Sequence, residues 1–301
     1  LRMPSALDIF DYCQTLVVSI GLAITIPLAC FIYFHLIISQ RFSKLCIFKL
    51  IVINGATGLL NTLVCLFIFQ LTSFEFMRGF YSYIQDNGLA TPLAAVNALF
   101  GELALHSSLF IALNRFKAML FIGRRHNDFI FFLASVLISL LLSLPAVIDF
   151  CYTTSYYTEI SLGEQSVLIP QVSVTTEFYR SLTYAIRMVV SLATLLLNLS
   201  LCVLITREKQ LMSGSQGNRI NAEKGLIITS IVAYATYMIY FANNLVTRYF
   251  NVTLCGYAQW LFLGIKSISP IWCLIIFTPS VRRLFAHRKH AGKATTVQSL
   301  T

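Results

Sequence analysis

Charge is scarce in this chain. Only 11% of its 301 residues are Asp, Glu, Lys or Arg, while 57% are hydrophobic. Soluble domains carry roughly a quarter charged residues and an apolar share below about one half. A water-soluble α/β enzyme is therefore disfavoured, and so is a disordered chain, which needs low hydrophobicity. Paired metal-binding cysteines are lacking too. The eight cysteines are scattered and form no Cys-x-x-Cys, so a zinc site is not expected. There is no His-Glu-x-x-His, no Gly-x-Ser-x-Gly, no phosphate-binding glycine loop and no deep carboxylate pair. Neither an enzyme activity nor a cofactor is expected. No internal repeat and no pair of interrupted helices of the transporter kind is visible. A basic leader is also absent: Asp8 and Asp11 precede the first apolar run, which reads as a signal anchor.

Long apolar stretches are what the chain does have. A spanning helix needs about 20 mainly apolar residues, and seven stretches qualify: 12–38, 45–70, 91–121, 129–150, 181–206, 225–249 and 257–278. The third carries the most polar residues and is the weakest of the seven. The expected fold is all-α: a polytopic membrane protein with a seven-helix bundle over 1–278. Residues 279–301 would add a short amphipathic helix and a basic tail, with Val281, Leu284 and Phe285 facing lipid. The outer connection 151–180, rich in Tyr, Ser and Thr, has room for a short hairpin.

Basic residues collect on the cytoplasmic side of such a bundle. With the N-terminus outside, the inner segments hold sixteen Lys and Arg against Asp128, Glu208 and Glu223. The outer segments hold Arg2, Arg78, Arg180 and Arg248 against eight acids. The asymmetry supports seven spans, an outer N-terminus and a cytoplasmic C-terminus. It also accounts for the net charge of +10 without a nucleic-acid partner.

Three ionisable residues fall inside spans: Glu102, Arg187 and Lys266. Buried charges in a membrane face the bundle interior and pair. Glu102 lies roughly 16 Å below the outer face and Lys266 roughly 13 Å, from the 1.5 Å helical rise. The expectation is a Glu102–Lys266 pair across the third and seventh spans, acting either as an interhelical latch or as a ligand contact. His106 follows Glu102 by four residues and shares its face. Tyr234, Tyr237 and Tyr240, then Asn243 and Asn244, run up the sixth span. Glu102, His106, Tyr240, Asn244 and Lys266 are the candidate ligand-binding residues. Cys151 and Cys255 are both placed outside and form a candidate disulfide, with Cys13 as a competitor. Asn251-Val252-Thr253 is an outer glycosylation sequon close to the membrane.

Four stretches carry a family resemblance: Ile26-Pro27 in the first span; Phe42-Ser43-Lys44-Leu45 through Asn61 into the second; Ser108-Leu109-Phe110-Ile111-Ala112-Leu113-Asn114-Arg115-Phe116 closing the third; and Glu223-Lys224-Gly225-Leu226 entering the sixth. With seven spans they look like a G-protein-coupled receptor, and they most resemble the nematode serpentine chemoreceptors of class gamma. The chain departs from rhodopsin-like receptors where those usually carry a cysteine atop the third helix: it reads Ala90-Thr91-Pro92, so that disulfide has no partner here. The resemblance implies a plasma-membrane receptor of sensory cells that binds an external small molecule and signals through a heterotrimeric G protein. On that reading Asn114, Arg115, Arg124 and Lys224 serve coupling. A ligand-gated channel or small-molecule carrier is the rival; polar residues thinning toward the inner halves weigh against it.

Overall fold

The computed structural model describes residues 6–38, 46–71, 75–120, 128–152, 155–162, 165–172, 177–211, 217–250, 253–278 and 281–282. In chain order these form α1 (Ala6–Ile38), α2 (Cys46–Cys65), α3 (Arg78–Asp86), α4 (Ala90–Leu120), α5 (Asp128–Tyr152), β1 (Ser155–Leu162), β2 (Gln165–Val172), α6 (Glu177–Leu211), α7 (Gly217–Phe250) and α8 (Thr253–Phe277). All but the short α3 are long and apolar enough to cross a bilayer, which gives seven spanning helices. The protein is an all-α, multi-pass membrane bundle.

The third spanning helix, α4, is polar for a physical reason: it is the helix most shielded from lipid. Half of its apolar window is buried, against 22% for α5 and 28% for α1 and α6. It packs against α2, α5, α6 and α7. A helix surrounded by protein can exchange apolar side chains for polar ones that find partners on its neighbours. The outer helices behave oppositely. Leu16, Val17, Ile20 and Ile24 on α1, and Leu137, Leu141 and Leu144 on α5, present apolar surface outward.

The main apolar core joins α1, α2, α4, α7 and α8 through residues such as Ile32, Leu50, Phe110, Leu226 and Leu274. A second cluster, Leu105, Val190, Tyr237 and Phe241, joins α4, α6 and α7. Small residues let helices approach closely. A Cβ added at Gly264 of α8 would stand 2.7 Å from a Val18 methyl of α1, and one at Gly225 of α7 would stand 2.7 Å from the Phe277 carbonyl carbon at the end of α8.

At one end of the bundle, α2 finishes in a π-helical turn, Leu66–Gln70. The amphipathic α3 follows and stops at Gly88, whose φ of 65° is the left-handed conformation that glycine adopts without strain. Leu89 N–H donates to Ile84 O at 2.9 Å and Gly88 N–H to Gln85 O at 3.0 Å, the paired bonds of a glycine-terminated helix. Between α5 and α6 the chain forms the expected hairpin. β1 and β2 are antiparallel, from Ser155 opposite Val172 to Leu162 opposite Gln165.

Beyond α8 the structure differs from expectation. Val281 is fully buried within the main core and does not face lipid. Its N–H and that of Arg282 donate to Thr278 O at 3.0 and 3.1 Å, which holds Val281 close to the end of α8. Leu284, Phe285 and the rest of the basic tail lie outside the described residues.

Candidate functional site

The chemistry of the bundle concentrates in its middle, between α4, α6, α7 and α8. Glu102 is 2% exposed and His106, one turn further along α4, is fully buried. A carboxylate at this depth needs a partner, because an isolated buried charge is costly. Its partner is Arg187 of α6. Both Arg187 Nε and Nη2 donate to Glu102 Oε1, at 2.6 and 2.5 Å. The Arg187 guanidinium also lies 5.5 Å from the centre of the Tyr184 ring.

The second carboxylate oxygen faces His106, with Nε2 3.8 Å from Glu102 Oε2. The other ring nitrogen turns to α5: His106 Nδ1 is 3.2 Å from Ser139 O and 3.3 Å from Ser143 Oγ. Glu102 thus ties α4 to α6, and His106 ties α4 to α5. An imidazole that uses Nδ1–H on a carbonyl presents a proton at Nε2 only when the ring is charged.

The expected Glu102–Lys266 pair does not form. Both residues are buried, yet Glu102 is taken by Arg187, and Lys266 Nζ lies over the rings of Tyr240 and Tyr237 at 4.9 and 5.2 Å. The reason is helix placement: α6 packs directly on α4, whereas α8 packs on α1, α2 and α7. A planar guanidinium also offers two donors to one carboxylate, which an ammonium matches less well. Tyr237 stacks on Phe241 with ring centres 6.1 Å apart, and Tyr234 donates to Ser191 O at 2.8 Å, tying α7 to α6.

Glu102, His106, Tyr240 and Lys266 therefore gather around one region, with Arg187 and Tyr237 added. Asn244 lies on α7, but its side chain is outside the described residues. Of the coupling residues, Arg115 is 5% exposed near the opposite end of α4 and Asn114 is half-buried. Lys224 lies on α7 with its side chain outside the described residues, and Arg124 lies outside them altogether. Cys151 is an exposed free thiol, so the Cys151–Cys255 disulfide is not formed. α5, which carries Cys151, packs mainly on α2, α4 and α6, whereas α8 packs mainly on α1, α2 and α7. The Cys255 side chain and the sequon Asn251 fall outside the described residues.

A further polar seam runs from α2 to α4 and α8. Asn54 Nδ2 donates to Ala104 O, Ser108 Oγ and Ser107 Oγ at 2.6, 2.9 and 3.0 Å. Asn61 Nδ2 donates to Asn97 Oδ1 at 2.8 Å, and Thr62 and Ser267 hydroxyls bond to each other. Asn54 and Asn61 are seven residues apart and so share a helix face; that spacing was the sequence signal for this seam. Arg187 had its own signal, a lone cation inside an apolar span.

No protein-family model matches the chain, and no curated protein matches it. Among solved structures it resembles squid rhodopsin, with a TM-score of 0.64 and 10% sequence identity over 95% of this chain and 87% of that one. The likeness defines a seven-helix membrane bundle of the rhodopsin fold. The buried polar cluster lies within that bundle, where α4, α6, α7 and α8 converge.

Proposed function

We propose that this protein is a seven-helix chemosensory receptor of the G-protein-coupled type, most like the nematode serpentine receptors of class gamma. An external small molecule binds among α4, α6, α7 and α8, in contact with Glu102, His106, Tyr240, Asn244 and Lys266. The N-terminus is outside, the C-terminus is cytoplasmic, and the protein sits in the plasma membrane of sensory cells. Ligand shifts the population between two arrangements of the bundle through its differential affinity for them. The ends carrying Asn114, Arg115, Arg124 and Lys224 then engage a heterotrimeric G protein.

One observation carries this reading: a Glu102–Arg187 ion pair buried at mid-bundle, with Lys266 and two tyrosines beside it, in a rhodopsin-like fold. Intramembrane ionisable groups mark functional sites more often than packing needs. A ligand screen in cells with a cytosolic second-messenger readout tests the reading. Arg115→Ala is expected to abolish the response while leaving binding intact. An unchanged response in that variant removes Arg115 from coupling, and conductance by the purified protein in liposomes without any G protein would favour a channel.

A further inference from the structure

Among the described residues, Lys266 is the basic side chain of the central cluster that has no ion-pair partner. Arg187 turns its Nε and Nη2 to Glu102 Oε1, so that cation and that anion pair with each other. Among the described residues, Lys266 makes no ion pair and no hydrogen bond; its contacts are the faces of Tyr240 and Tyr237. The sequence narrows the remaining choices. From Lys224 to the last residue there is no Asp or Glu, so neither the buried length of α7 nor any of α8 can bring a carboxylate to it. Lys266 is nevertheless only 7% exposed. A ring face attracts a cation but does not cancel its charge. Taking an ammonium out of water is expensive unless a counter-charge meets it.

We infer that the ligand of this site is a small organic anion, a carboxylate or a group of similar charge. Its headgroup binds Lys266 Nζ, and its hydrocarbon part packs on the Tyr237 and Tyr240 rings. This rests on the receptor reading for its purpose, but the chemistry stands on the charge count. The site selects against amines for the same reason: they would add a second uncompensated cation beside Lys266 and Arg187. Lys266→Met is the informative variant. It keeps an unbranched apolar stem against the tyrosines and removes a desolvated charge, so it is expected to fold and to be at least as heat-stable as the parent.

The test uses the full chain in lipid nanodiscs and matched probes: butyrate and hexanoate against butyramide and hexanamide, and hexylamine as the cationic control. Binding is measured directly and by thermal shift. The expected result is an affinity for hexanoate at least about tenfold tighter than for hexanamide, a modest preference for a charge pair. The preference is expected to vanish in Lys266→Met and to persist in part in Lys266→Arg. Equal binding of acid and amide, an acid preference that survives in Lys266→Met, tighter binding of hexylamine, or no acid-dependent shift at all would each overturn the inference. The same panel in the second-messenger assay separates the two readings. Acid binding without any signal would refute the receptor and leave the anion site standing. Signalling by uncharged compounds that Lys266→Met does not alter would do the reverse.

Discussion

The Tyr157 N–H donates to Gln85 Oε1 at 3.0 Å, and this bond fixes the hairpin to α3. The Tyr157 ring packs 5.1 Å from Tyr81, whose hydroxyl bonds to the Phe67 carbonyl at the π turn of α2. No cysteine stands at the top of α4 to tie this hairpin covalently. Tyr81, Tyr157 and Gln85 hold it by packing and hydrogen bonds.

The tie is polar and local, so it should fail locally. Gln85→Ala removes the acceptor and is expected to increase hydrogen exchange across 155–172 while the unfolding temperature of the bundle hardly moves. A buried N–H left without its acceptor costs about 1–3 kcal/mol. Unchanged exchange in the hairpin would show that the bond does not hold it.

Burial of Tyr157 makes a separate, spectroscopic prediction. Desolvation disfavours phenolate and pushes the Tyr157 hydroxyl up to about 12 from an ordinary 10.0. A raised folded value means stability that is complete below pH 10 and is lost as pH rises from there through about 12. An ultraviolet pH titration of the parent minus that of Tyr157→Phe should isolate a transition near 12. A difference centred at the ordinary value would mean that the phenol is solvated.

The ion pair predicts a pattern of couplings. Arg187→Met alone should cost about 3–5 kcal/mol, because it leaves the buried Glu102 carboxylate unpaired, and Glu102→Gln, which leaves the partly exposed Arg187, should cost less. The double variant should cost much less than the sum, and the coupling of Glu102 to Lys266 should be weaker than its coupling to Arg187. Unfolding of purified protein in detergent, measured for the full set, decides it. Strong coupling of Glu102 to Lys266 and weak coupling to Arg187 would contradict the geometry.

Gly225 predicts the response of the opposite end of the bundle. A methyl there meets the Phe277 backbone, which cannot rotate away as a side chain can. Gly225→Ala should force α7 and α8 apart and lower stability by about 1–3 kcal/mol, with Gly225→Val worse. A thermal-unfolding series measures this; an Ala variant as stable as the parent would place α7 farther from α8.

The seven spans were legible because lipid imposes a length and a composition on each helix. The weak apolarity of the third span was legible too, but its meaning was not: only packing shows that α4 is the central helix. The presence of a buried charge pair followed from Glu102 and the intramembrane cations. Which cation it used did not: Lys266 was the expected partner, and helix adjacency gave Glu102 to Arg187 instead. Val281 misled for a related reason. An apolar residue beside arginines reads as an interfacial helix, and only the turn at Thr278 reveals that it folds back into the core. Asn54 and Asn61 were visible as residues, but the backbone carbonyl and serines they meet belong to another helix.

The account depends on a bundle that crosses the membrane an odd number of times around the Glu102–Arg187 pair. Epitopes placed just before α1 and just after α8 in one full-length protein, probed on intact and then permeabilised cells, test it most directly. The account predicts that only the epitope before α1 is reached on intact cells and that both are reached after permeabilisation. Equal access to the two epitopes on intact cells would contradict it.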